Sequence, residues 1–356
     1  MKIVLVLFGF AASVFAQEAY SGFEIHGTAS ALGFYSHELS DPPRNGNPAD
    51  AGLRLVAYPT FKFDEHWSVS AAVQVSTRPS FYEQFETQGR GIKGDLLQGY
   101  LMYSRIRENR SLVFRAGQLS TAFGSFPIRY DDAVNPLVDV PPSYGYYGGG
   151  VTTAGLAGVQ LDASLGKIDA RAQFVNSSPA NRRSLFDGDQ YGTWIGGFGY
   201  TLKQGFRVGA SAYRGPFLDR QSPFFYPGEW SPKRLPATAF GTDLQYGHGP
   251  WNVNAEFQRF IYAYHVIPTF RQHTGYVEIK RSLGPRWYLA TRLSYVRANL
   301  APPRQIYEAA AGFRPNRFQI VKFGYEAVQG PAVRGTLSNT AVVQLVTMLP
   351  SFAVAR

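Results

Sequence analysis

The chain has 356 residues, 35 Lys and Arg against 25 Asp and Glu, a formal net charge of +10, and no cysteine. Charged residues make up only 17% of it and aromatics 15%, with 27 Phe, 22 Tyr and 37 Gly. So little charge argues against a water-soluble enzyme of this length, a mean hydropathy of −0.18 argues against a helical membrane protein, and the lack of cysteine excludes a disulfide-held secreted fold.

The first element is a targeting segment. Met1-Lys2 supplies a positive charge, Ile3 to Ala12 is almost wholly apolar, and Val14 and Ala16 stand at −3 and −1 of a cut before Gln17. This pattern predicts a secretory signal peptide over 1–16, cleaved after Ala16. The apolar run is too short for the roughly 20 residues of a spanning helix. Residues 17–356 are then one exported domain.

From residue 22 onward the chain alternates with period 2, which means strands with one apolar and one polar face. Between 251 and 258, Trp251, Val253, Ala255 and Phe257 alternate with Asn252, Asn254, Glu256 and Gln258. Between 287 and 295, Trp287, Leu289, Leu293 and Tyr295 alternate with Ala290, Arg292 and Ser294. The alternation predicts sixteen strands near 22–36, 50–63, 66–78, 93–106, 110–120, 151–165, 167–177, 190–203, 205–215, 237–247, 250–262, 272–283, 286–298, 304–314, 316–329 and 337–350. Each has about the ten residues that a tilted spanning strand requires.

The connections alternate in length. Asp64-Glu65, Arg107 to Asn109, Leu165 to Lys167, Lys203 to Gly205, Gly247 to Gly249, Leu283 to Pro285 and Arg314 to Asn316 are tight turns rich in Gly, Pro, Asn and charge. Between them lie long polar loops, the largest at 37–49, 79–92, 121–150, 178–189 and 216–236. Short turns at one end and long loops at the other are the asymmetry of an outer-membrane barrel, with the turns periplasmic. A soluble β-sandwich explains the alternation but not this rhythm. Tyr35, Trp67, Tyr103, Trp194, Tyr200, Trp251, Tyr295 and Tyr325 fall close to strand ends, where amphipathic rings form interfacial girdles. The last strand is followed by Phe352 and a short tail, Ala353 to Arg356.

The expected fold is therefore all-β, a 16-stranded antiparallel transmembrane barrel wide enough to leave an aqueous lumen. The longest loop, Ser120 to Gly150, carries Phe123, Phe126, Arg129, Asp131, Asp132, Tyr144 and Tyr146. It is too apolar for a free solvated loop. Folded into the lumen, it would be a constriction loop with Phe123, Phe126, Tyr144 and Tyr146 as its packing residues. Packing over the barrel mouth or at a subunit contact is the other reading.

An inward third loop is similar to the architecture of 16-stranded trimeric porins. The segment FRAGQLSTAFGSFPIR, Phe114 to Arg129, also resembles the strand-to-loop stretch of the phosphate-selective porin O/P type, through Arg115, Gly117, Gln118, Phe123 and Gly124. That family's ladder of lumen lysines has no counterpart here. The resemblance implies a homotrimer in the bacterial outer membrane.

The inward phase holds Arg54, Arg115, Arg171, Arg207, Arg292 and Lys322, with Asp162, Asp243, Glu256, Glu278 and Glu326. Together with Arg129, Asp131 and Asp132 these are the expected pore-lining and selectivity residues. Basic residues on a low-dielectric lumen favour anions, and the opposing acids dilute the effect to a mild preference. A solvated wall of paired charges without selectivity is the alternative. The positive charges are scattered singly, which argues against nucleic acid as a partner. Arg182, Arg183, Arg220, Lys233 and Arg234 fall on the outer loops, where lipopolysaccharide would be met.

The six histidines have no serine partner in a motif, and no G-x-S-x-G, H-E-x-x-H or Walker A sequence occurs. The expectation is a non-enzymatic porin without cofactor or metal, passing small hydrophilic solutes by diffusion. A substrate-specific channel for phosphate or another anion, and a non-transporting scaffold or adhesin, are the alternatives. Strand numbers of 14 and 18 also stay open.

Overall fold

The computed structural model describes residues 21–40, 46–78, 91–126, 131–144, 155–176, 192–216, 235–264, 268–330 and 337–355. The signal peptide, Arg129, Tyr146 and the loop residues Arg182, Arg183, Arg220, Lys233 and Arg234 lie outside them.

The described residues form sixteen strands: β1 (Gly22–Tyr35), β2 (Ala49–Lys62), β3 (Trp67–Arg78), β4 (Gly91–Arg107), β5 (Arg110–Leu119), β6 (Leu156–Leu165), β7 (Ile168–Val175), β8 (Thr193–Lys203), β9 (Phe206–Pro216), β10 (Pro236–His248), β11 (Trp251–Tyr262), β12 (Phe270–Ser282), β13 (Trp287–Ala298), β14 (Ala301–Asn316), β15 (Gln319–Gln329) and β16 (Asn339–Ala355). Each pairs antiparallel with its sequence neighbours, and β1 closes on β16, so the sheet is a closed barrel. Closure satisfies every ladder and leaves no edge, the condition a sheet must meet in hydrocarbon.

Alternation decides which side faces which solvent. On β13, Trp287, Leu289, Leu293 and Tyr295 are exposed on the outside, while Tyr288, Ala290, Arg292 and Ser294 are buried within. The same holds on β2, where Leu53 and Leu55 are exposed and Arg54 is 3% exposed. An exterior of large apolar side chains around a polar interior inverts a soluble domain and matches a bilayer.

The hairpin turns are locally encoded. Between β2 and β3 the Asp64 carboxylate accepts the backbone N–H groups of His66 and Trp67, each at 2.7 Å. Those two donors, Trp67 first, hold its carboxyl below the ordinary value.

Two sequence expectations are corrected at the C-terminal side. The turn expected at Arg314 to Asn316 lies at 317–318, because β14 continues through Pro315. The ladder has an irregularity between Phe313 and Asn316, where a proline without an N–H is tolerated. The expected tail after Phe352 belongs to β16: Val354 pairs with Phe23 and Ala355 with Gly22. A register shift between Ile25 and Gly27 lets β16 run that far.

Candidate channel lumen

The connection from β5 to β6 is the long loop, described over 120–126 and 131–144. Its contacts fall on inward-facing side chains around much of the barrel. At its start, Gln173 on β7 accepts the Ala122 N–H at 3.1 Å and donates to the Ser120 carbonyl at 2.8 Å. The Gly124 N–H donates to the Ser211 hydroxyl on β9. Glu256 on β11 then collects donors: the Ser125 hydroxyl at 2.6 Å, the Tyr276 hydroxyl at 2.7 Å, the Gln258 amide at 2.8 Å, and the Tyr144 hydroxyl. Burial, then the Glu256 carboxylate, push the Tyr144 hydroxyl well above its ordinary value, so it stays a donor.

Glycine is required at the turn into this site. Gly124 has φ of +75°, and a Cβ there would collide with the Tyr144 hydroxyl. Gly117, on β5, has φ of +138° and lies against the backbone of Gly99 and Tyr100. Both belong to the stretch that resembles the phosphate-selective type, so local geometry accounts for two of its five matching residues.

The middle of the loop meets the wall further round, from β13 through β15 and β1 to β2. Asp131 accepts the Thr28 hydroxyl at 2.7 Å and the Tyr58 hydroxyl. Asp132 accepts the Ser30 hydroxyl at 2.6 Å and pairs with Arg54 at 3.2 Å. Lys322 donates to three loop carbonyls, Asp132 at 2.7 Å, Asn135 at 2.8 Å and Leu137 at 3.1 Å. Arg292 donates to the Asp139 carbonyl at 2.6 Å, and Tyr288 to the Pro136 carbonyl at 3.0 Å. Apolar packing joins the polar contacts: Phe123, Phe126, Val138, Val140 and Tyr144 cluster with Leu32, Phe34, Tyr213, Phe260 and Val342 of the wall.

The inward charges are mostly paired. Arg115 pairs with Asp162, Arg207 with Asp169 at 2.6 Å and Asp243 at 2.7 Å, and Arg292 with Glu308 at 2.5 Å and Glu278 at 3.3 Å. Arg171, opposite Asp162 and Gly197 in the ladder, belongs to none of the ion pairs among the described residues. Lys280 rests over the Tyr288 ring, 4.7 Å from its centroid.

The strand residues expected at the lumen share the inward phase, while Asp131 and Asp132 sit on the loop with their carboxylates against the wall, and the geometry sorts all of these into two groups. Arg54, Arg292, Lys322, Asp131 and Asp132 hold the loop, as do Phe123, Phe126 and Tyr144. Arg115, Arg171 and Arg207 stand on β5, β7 and β9, nearer the short-turn end than the loop contacts Gln173 and Ser211. Sequence reasoning missed Glu308, Asp139 and Tyr58, and placed Tyr288 on the phase of Arg292 without giving it a role. Glu308 was within reach, two positions from Ile306 on the inward phase, but Ala309 to Ala311 blurs the alternation there. Asp139 carries no local signal, since its role comes from Arg292, 153 positions away.

No protein-family model matches the chain, and no curated protein matches it. Solved structures do. In-vitro folded OmpT, an outer membrane protein of Vibrio cholerae, superposes with a TM-score of 0.61 at 10% identity, over 94% of this chain and all (100%) of that one. OprB of Pseudomonas putida gives 0.60 at 12% identity, over 94% of each chain. An anion-selective porin from Comamonas acidovorans gives 0.59 at 9% identity, over 94% of this chain and 100% of that one. The chain thus has the 16-stranded fold of bacterial outer-membrane porins.

Proposed function

We propose that this protein is an outer-membrane channel through which small hydrophilic solutes diffuse, with the loop between β5 and β6 folded inward to narrow the passage. The observation that carries this reading is the two-sided docking of the loop, on Glu256 at one side and on Arg54, Arg292 and Lys322 at the other. A loop held at both sides has a fixed place inside a barrel of this width, and side chains alone do not fill such a barrel. What passes runs by β5 to β10 on the short-turn side of the loop contacts, lined by Arg115, Asp162, Arg171, Arg207 and Asp243.

Arg115, Arg171 and Arg207 are matched in number by Asp162, Asp169 and Asp243, so that wall is neutral, and a mild anion preference rests on Lys280 and Arg314 further round the barrel. Phosphate selectivity has no support beyond the short resemblance. Export by the signal peptide, assembly as a homotrimer and contact with lipopolysaccharide belong to the same proposal; an OmpT structure in trimer form shares the fold. The channel reading assigns no catalytic residue and no cofactor.

A second reading is a barrel that keeps its lumen closed and serves as a scaffold. The apolar cluster between loop and wall favours it. One experiment separates the two: single-channel recording of the refolded protein in a planar bilayer under a salt gradient. Stable steps with a reversal potential of anion sign support the channel. Absence of steps from protein verified as folded rejects it and leaves the scaffold.

A further inference from the structure

Two arginines flank a histidine across the outside of the barrel near the long-loop end. Arg259 on β11 pairs in register with His273 on β12, and His273 with Arg297 on β13. All three belong to the outward phase, with Arg259 and Arg297 exposed and His273 half-buried. One step further out, Arg271 lies opposite Asn299, whose amide oxygen accepts its N–H at 2.8 Å, and Arg214 lies opposite Thr238. Among the described residues the outward face of β9 to β14 carries no Asp or Glu. The row has no protein counter-charge there.

The next row toward the barrel middle is apolar, and it has a gap. Phe257, Gly275 and Tyr295 are register partners, so two exposed rings flank a position without a side chain. The His273 ring stacks on Phe257, with centroids 6.1 Å apart. Below Gly275 the outward positions are Ala255, Val277 and Leu293. The surface therefore offers cations at the level just beyond the aromatic girdle and an apolar slot running from them into the hydrocarbon band.

We infer that this face of β11 to β13 binds a phosphorylated, acylated lipid of the outer leaflet. Phosphate oxygens accept from Arg259 and Arg297, in the charge-assisted geometry guanidinium groups favour. One acyl chain lies in the slot between Phe257 and Tyr295 over Gly275. A soluble anion would match the row but would have no use for the slot. The inference rests on the outer-membrane reading, because only there does the long-loop end meet a lipid leaflet.

The test titrates the refolded full barrel, in non-ionic detergent, with a bisphosphorylated acylated glycolipid, its dephosphorylated form, and inorganic phosphate, and counts bound lipid by native mass spectrometry. The expected result is one glycolipid per barrel, no comparable binding of the dephosphorylated form, and no competition by millimolar phosphate. Each arginine near the surface contributes about five-fold in affinity, so R259Q/R297Q weakens binding roughly twenty-fold, while R110Q at the opposite end leaves it unchanged. A Val277→Asn variant, which puts a polar group in the slot and keeps the cations, also weakens it. Equal binding to wild type and R259Q/R297Q overturns the inference, as does inorganic phosphate that saturates the site by itself. Conductance of the same preparation separates the two readings: steps without lipid binding reject only the lipid site, whereas a folded barrel without steps rejects the channel.

Discussion

The ammonium of Lys322 lies 2.7 Å from the carbonyl oxygen of Asp132, 190 positions earlier in the chain. Lys322 is a strand residue aimed inward and Asp132 belongs to the loop. With the Asn135 and Leu137 carbonyls, the three acceptors match the three donors of an ammonium. Lys322→Met fills similar volume but leaves three buried carbonyls without a donor, a loss on the order of 3 kcal/mol for the docked loop. The expected outcome is a barrel of unchanged strand content whose single-channel current flickers between levels; a current as quiet as wild type would show that this clip does not hold the loop.

Arg292 is fully buried between Glu278 and Glu308 and also donates to the Asp139 carbonyl. Arg292→Met leaves two buried carboxylates facing each other without a counter-charge. Such a change costs roughly 3–5 kcal/mol, whereas breaking a solvated pair costs up to about 1 kcal/mol. The part-exposed pair of Lys62 and Glu24, 3.9 Å apart, is the comparison. Urea unfolding followed by gel mobility is expected to rank Arg292→Met well below Lys62→Gln, which stays near wild type.

Gly124 gives a prediction that reaches through Tyr144. Any side chain at φ of +75° is strained, and here it also displaces the hydroxyl that donates to Glu256. Gly124→Ala is expected to weaken loop docking by about 2–3 kcal/mol. The Tyr144 hydroxyl sets the pH response of that contact. Its value is raised in the docked state, so its contribution is complete below the ordinary tyrosine value of 10.0 and is lost as the pH rises beyond it. Current noise should therefore be flat with respect to this group from pH 6 to 9 and grow at higher pH in wild type. Tyr144→Phe should remove that alkaline increment while adding a constant one; an identical alkaline rise in both proteins would assign it elsewhere.

Selectivity tests Arg171. It stands beside Gly197 on β7, two positions from the loop contact Gln173; no salt bridge among the described residues includes it, and Asp243 lies within its electrostatic reach. Arg171→Gln is expected to move the reversal potential toward zero with little change in conductance, and Arg171→Glu to move it toward cations. Arg129→Ala is expected to shift selectivity as well. If Arg171→Glu leaves the reversal potential where it was, the anion preference arises at other residues.

The barrel was legible in the sequence because a strand in a membrane needs only a local rule. Side chains two apart share a solvent, so the alternation of Trp251 to Gln258 is visible without knowing any partner. Tight turns such as Asp64-Glu65 are likewise set by neighbours, and so was the inward phase of Arg54, Arg292 and Lys322. What these residues do once inside was not legible. Arg292 reads as a free lumen cation until Glu278, Glu308 and Asp139 are brought against it, and Lys322 reads as a selectivity charge until three loop carbonyls cap it. Period-2 patterning fixes direction, while pairing depends on closure of the barrel and on the path of a loop more than 100 positions distant. Sequence by itself determined the strands, their faces and the charges on the inward phase; tertiary structure alone decided which of those charges meet the loop and which, Arg171 among them, do not, because those contacts join residues far apart in the chain.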